Sequence, residues 1–140
     1  MNEVLENIRT RRSIRSFKPD AVPEDVIAQI AEAGTWAPTG RNAQSPIIIA
    51  VTNKELRDRI SEMNRKIGGW NEGFDPFYGA PAILIVLADK NVPTGVYDGS
   101  LVMENLMLAA NSLGVGSIWI HRAREEFESE EGREILRSLG

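Results

Sequence analysis

Three short apolar runs limit what this chain can fold into: residues 46–52, 82–88 and 115–120. Each has the length of a strand. Their unbroken rather than alternating apolar character is what a strand covered on both faces requires. Segments with helical spacing lie around them. Val4, Leu5 and Ile8 predict a helix over 2–10. Val26, Ile27, Ile30, Ala31 and Ala33 predict a second, starting with Pro23 at the first helical position and Glu24 and Asp25 at the positive end of the dipole. Asn53 is a good cap for a helix over 54–67. Residues 98–113 predict the longest helix, apolar around so much of its girth that it belongs in the core or in a subunit interface. An acidic start predicts a last helix over 125–139. This order gives an α+β or α/β sandwich with one sheet between helices. Residues 68–78, rich in glycine and aromatics, read as a mobile lid.

The 140 residues predict one domain, 1–140. There is no cysteine, which removes disulfides, thiol nucleophiles and thiolate metal sites and fits a reducing compartment. The single histidine argues against a His-based metal site or a Ser-His-Asp triad within one chain. No apolar run approaches a bilayer span, so no membrane role is expected. A net charge of −4 argues against nucleic-acid binding.

Against that acidic background, 16 Lys+Arg to 20 Asp+Glu, the sequence Arg11-Arg12-Ser13-Ile14-Arg15 is anomalous. Like charges this close repel unless something neutralises them. Arginine's planar fork suits phosphate and carboxylate oxygens. The cluster is either the seat of an anionic cofactor or a solvated basic turn at a helix end. Two further segments carry similar pairs of readings. Trp36-Ala37-Pro38-Thr39-Gly40-Arg41-Asn42-Ala43-Gln44 has small residues that let a backbone approach closely and amides that can read a heterocycle edge, yet it could equally be an ordinary helix-to-strand connection. His121 and Arg122 follow the third apolar run, at a strand end where loops often carry function, although a lone histidine is more often a structural or surface residue.

Taken in order, these three segments and the long helix from Asp98 resemble the nitroreductase family of flavin mononucleotide (FMN) enzymes over nearly the whole chain. The resemblance implies an α+β three-layer sandwich, a central mixed β-sheet flanked by helices, with the flavin at a homodimer interface. It implies that Arg11, Arg12, Ser13 and Arg15 contact the FMN phosphate and the pyrimidine edge of its ring. Pro38, Thr39, Asn42 and, more weakly, Gln44 would reach the same flavin from the other subunit. The backbone around His121 and Arg122 would lie near flavin N5 and O4. The flavin would carry the chemistry, with no catalytic side chain and no metal. Hydride would pass from NADH or NADPH to a nitroaromatic, quinone or similar small acceptor by ping-pong exchange, in the cytoplasm.

Family members usually continue past the point that matches Gly140 with another core strand, a basic pair at the flavin phosphate and a tail that wraps the partner. This sequence ends at Gly140, as a truncated form or a minimal variant. Phosphate binding is then expected to rest more heavily on Arg11, Arg12 and Arg15. Two alternatives stay open: a more specialised flavin enzyme of the same fold, for reductive dehalogenation or flavin breakdown, and a non-catalytic flavin-binding module.

Overall fold

A computed structural model describes residues 1–140. Two five-residue strands, β1 (Ile47–Val51) and β2 (Ile83–Leu87), pair antiparallel with Ile47 opposite Leu87, Ile49 opposite Ile85 and Val51 opposite Ile83. Six helices surround them: α1 (Glu3–Thr10), α2 (Glu24–Thr35), α3 (Lys54–Gly68), α4 (Gly95–Ser112), α5 (Ala123–Glu128) and α6 (Glu130–Leu139).

The pleat divides the strand residues between two hydrophobic clusters. Ile49, Val51, Ile83, Ile85 and Leu87 face Ile60 and Met63 of α3, Phe127 of α5 and Ile135 of α6. Ile48, Leu84 and Val86 face Ile30 of α2 and Val102, Leu106 and Ala110 of α4. Odd and even positions therefore serve opposite layers, because successive strand side chains point to opposite faces. The result is helices, sheet, helices, the α+β sandwich expected. Each large apolar side chain buried this way contributes on the order of 1.5–3 kcal/mol.

Local signals place the helix ends. Asn2 accepts from the Leu5 amide at 3.0 Å to open α1, and Asn53 accepts from the Leu56 amide at 2.8 Å to open α3. Gly69, at φ 75°, closes α3 in the left-handed conformation that glycine tolerates best. Pro23 stands at the cap of α2, one position before the place expected for it.

Four expectations are corrected. The third strand, 115–120, is not a ladder strand. It makes one parallel bridge, Ser117 to Ser13, with the Ile14 amide donating to the Ser117 carbonyl at 3.0 Å. Its neighbour is the arginine segment rather than β1 or β2, and a single bridge cannot propagate a ladder. The sheet itself is the antiparallel pair β1–β2, and the parallel bridge lies outside it. Secondly, β1 is not buried along its whole length, since Ile47 is 55% exposed. Thirdly, α4 starts a turn earlier than expected, at Gly95. Fourthly, the single last helix is two, broken at Ser129, whose hydroxyl accepts from the Gly132 amide at 3.0 Å. A β-carbon on Gly132 would lie 2.0 Å from the Glu126 carbonyl oxygen, so α5 and α6 meet this closely only through glycine.

The expected lid is partly a fixed element. Phe77 is buried in the core. The Asp75 carboxylate accepts from Arg57 Nη2 at 2.5 Å, the Ser61 hydroxyl at 2.7 Å, and the Phe77 and Gly79 amides at 3.0 and 2.8 Å. No helix is long and apolar enough to cross a membrane.

Candidate active site

The Ser13–Ser117 bridge lays the arginine segment along residues 114–122, and a cavity opens on each side of it. One, of about 230 Å³, is lined by Arg15, Trp70, Pro76, Tyr78 and residues 118–122. The other, of about 250 Å³, is lined by Thr10, Arg11, Arg12, Ile14, Asn111 and residues 114–117. Neither lining includes an acidic residue. The structure thus brings Arg15, His121 and Arg122 to one cavity and Arg11 and Arg12 to the other. Ser13 lies at the bridge between them.

The cations in these walls are poorly neutralised. Arg11 Nε stands 3.9 Å from a half-exposed Glu104 oxygen, while Arg11 Nη1 is buried with no hydrogen-bond partner. An orphaned buried donor on a guanidinium is costly and marks a place that an anion would satisfy. Arg12 folds back on its own chain, with Nη1 donating to the Arg9 carbonyl at 2.6 Å and the Arg11 carbonyl at 2.9 Å. Arg122 lies over the Trp70 ring, 4.5 Å from its centroid. Beside it, His121 meets Trp119 edge-on at 5.8 Å between ring centres. Trp70, Phe74 and Tyr78 continue the aromatic row, with ring centres 5.1 and 6.2 Å apart. The pair of cavities has room for an anion beside Arg11 and for a planar ring bordered by Arg15, Arg122 and the tryptophans.

Pro38, Thr39, Asn42 and Gln44 line neither cavity. They form an exposed loop with Arg41, Asn42 and Gln44 all near φ 55°, which is costly for side-chain-bearing residues. Asp98 holds the loop in place. Its buried carboxylate accepts from the Gly40 amide at 2.9 Å and the Thr94 hydroxyl at 2.8 Å. The Gln44 amide donates to Thr39 Oγ1 at 3.0 Å. Sequence reasoning used Asp98 only as a helix start. An acid among the apolar residues of the longest helix was the signal that it holds something. Trp70, Pro76 and Tyr78 were also missed as cavity walls, because their segment was read as lid.

Two carboxyl groups near the site have shifted acidities. Burial raises Glu126 to about 7, against the lowering effect of the Asn64 hydrogen bond. Burial also acts to raise Asp75, but the bonds from Arg57, Ser61 and two backbone amides outweigh it and hold the group below the usual carboxylate range.

A family model described as the nitroreductase family matches residues 8–131. This chain belongs to that family. A crystal structure of a nitroreductase with bound FMN from Bacteroides fragilis superposes with a TM-score of 0.88 at 34% identity, covering 100% of this chain and 81% of that one. The FMN reductase [NAD(P)H] of Bacillus subtilis is 30% identical over 89% of this chain and 56% of its own length. A relative from Methanothermobacter thermautotrophicus is 33% identical over 84% of this chain and 60% of its own. This chain therefore spans about 60% of the length of these curated relatives.

Proposed function

We propose that this nitroreductase-family chain binds FMN and works, with a second copy of itself, as an NAD(P)H-dependent oxidoreductase for small acceptors such as nitroaromatics or quinones. The observation that carries the reading is the pair of acid-free, arginine-walled cavities divided by the Ser13–Ser117 bridge. When bound, FMN would supply two-electron hydride chemistry between NAD(P)H and the acceptor, in ping-pong order.

The protein's part is binding and electrostatics. Arg11 and Arg12, with Ser13, hold the phosphate, and the buried Arg11 Nη1 gains the partner it lacks. Arg15 and Arg122 place positive charge along the ring cavity, where it stabilises the negative charge that reduction adds. Trp70 and Tyr78 wall that cavity and limit water on one side. The second copy is supported by two features. Val4, Leu5 and Ile8 make an apolar face on α1 that is 50–67% exposed. The strained Pro38, Thr39, Asn42 and Gln44 loop is held rigidly outward by Asp98, so that it can complete a neighbour's site.

The test is an absorbance spectrum of purified protein after incubation with FMN and gel filtration, followed by NADH and NADPH oxidation with a panel of acceptors. Retained yellow colour and acceptor-dependent oxidation are expected. Protein that stays colourless at saturating FMN overturns the reading.

A further inference from the structure

Glu126 is 3% exposed in α5, and the flavin reading gives it no part. Its Oε1 accepts from Asn64 Nδ2 at 2.5 Å, and the same Nδ2 donates to the His121 carbonyl at 3.0 Å. Asn64 is 1% exposed, and its Oδ1 is buried with no donor. With Glu126 ionised, its carboxylate and the His121 carbonyl share the Asn64 NH2 group, and the Asn64 amide oxygen has no donor. The cluster is one donor short, and protonation of Glu126 would add one.

Its surroundings supply little else. Glu125 on the same helix repels a charge on Glu126, and Arg122 attracts one. Helix α3 offers the neutral Asn64 amide. From the α6 side, the Ser129 hydroxyl donates to the Glu126 backbone carbonyl at 2.5 Å, and Gly132 packs against that carbonyl. The β2 face packed on α5 is wholly aliphatic. Above the pair, Arg122 holds a left-handed backbone at φ 90°, which a non-glycine residue keeps only while its neighbours impose it.

We propose that Glu126 and Asn64 position the His121–Arg122 wall of the flavin site, the protonated acid holding that wall in place and its ionisation loosening it. This rests on the reading that the wall lies against FMN. Ionised Glu126 draws the Asn64 NH2 to itself by a charge-assisted bond and weakens the hold on the His121 carbonyl. It also attracts the Arg122 guanidinium away from Trp70. Burial brings the exchange into the neutral range.

The experiment has two arms. In the first, the side-chain amide resonances of Asn64 are followed by NMR in FMN-free wild-type protein from about pH 5.5 to about pH 8.5. They are expected to titrate near neutrality; invariance across the range overturns the proposal without any variant being needed. In the second, FMN dissociation constants are measured for wild type and E126Q, whose amide keeps the neutral shape at every pH. The two constants should be similar at about pH 5.5, with the wild type at least about threefold weaker at about pH 8. Taking their ratio removes any contribution from His121, which both proteins keep. Parallel profiles overturn the positioning role even if Asn64 titrates. If neither protein binds FMN, the flavin reading falls and the positioning role with it, whereas the Asn64 titration still reports the buried acid.

Discussion

The guanidinium of Arg122 lies 4.5 Å from the centroid of the Trp70 ring, joining the segment after α3 to the turn before α5. No carboxylate lies within ion-pairing distance of Arg122, so the indole is its principal support. Replacing Trp70 with leucine should cost about 1 kcal/mol of stability or less, as expected for a partly exposed cation–π contact. The larger effect should be on ligand binding, because Arg122 loses its fixed position at the ring cavity. Urea melts and FMN titration of W70L separate the two; a large stability loss with unchanged FMN affinity would make the contact purely structural.

Arg11 and Arg15 line different cavities and should fail differently. Losing one charge-assisted contact should cost about 1.5–3 kcal/mol, roughly tenfold to a hundredfold in affinity. For R11A this loss should apply to FMN and be absent for riboflavin, which has no phosphate. For R15A it should apply to both ligands. Calorimetry with the two flavins checks this, and the reverse pattern would exchange the two assignments.

The Asp98 carboxylate ties α4 to the loop that carries Pro38, Thr39, Asn42 and Gln44. D98A leaves the Gly40 amide and the Thr94 hydroxyl without that acceptor, and stability should fall by about 1–3 kcal/mol. The three left-handed residues then lose the constraint that maintains them. Thermal melts combined with light scattering should show a lower Tm and a weaker dimer for D98A. An unchanged Tm would show that the loop holds itself.

Glu126 and Asp75 should pull stability in opposite directions as pH changes. Glu126 has a folded pKa of about 7, above its ordinary 4.5, so the folded state holds the extra proton between those values. Stability from this group therefore falls as pH rises through that window, by at most about 3 kcal/mol, and levels off above it. Asp75 has a folded pKa below its ordinary 3.8, so its contribution is present above that value and is lost as pH falls through the acid range. Denaturant melts across pH should show both limbs in wild type, with the neutral limb missing in E126Q. Retention of that limb in E126Q would assign it to another group.

The elements legible in the sequence were those whose signal is local. The apolar runs at β1 and β2, the Asn2 and Asn53 caps and the helical spacing of Ile27 and Ile30 each state their conformation within a few residues. The run at 115–120 looked identical but became extended chain, because a strand also needs a partner, and the partner here is Ser13 rather than another apolar run. The arginine anomaly was legible as a candidate anion site. Its division into two cavities was not, since that depends on where a single bridge falls. Glu126 was read as one more acid at a helix start, where such residues are normally solvated. Only the packing of α3 and α6 around it shows that it is dry. The break at Ser129 was hidden for a related reason, because the close approach that demands Gly132 is a contact between helices.

The Ser13–Ser117 bridge has a consequence for when the site comes into being. Its two sides are separated by about a hundred residues of chain, and a contact so distant carries the entropy of closing a long loop. The walls of both cavities are therefore among the least local features of the molecule and should assemble late, after the helices have formed. A growing polypeptide would be unable to take up a ligand there until the segment around Trp119 had been synthesised and had docked. A ligand that spans both cavities would then favour the closed arrangement over any open one, so that cofactor supply would govern how much of the protein completes its folding.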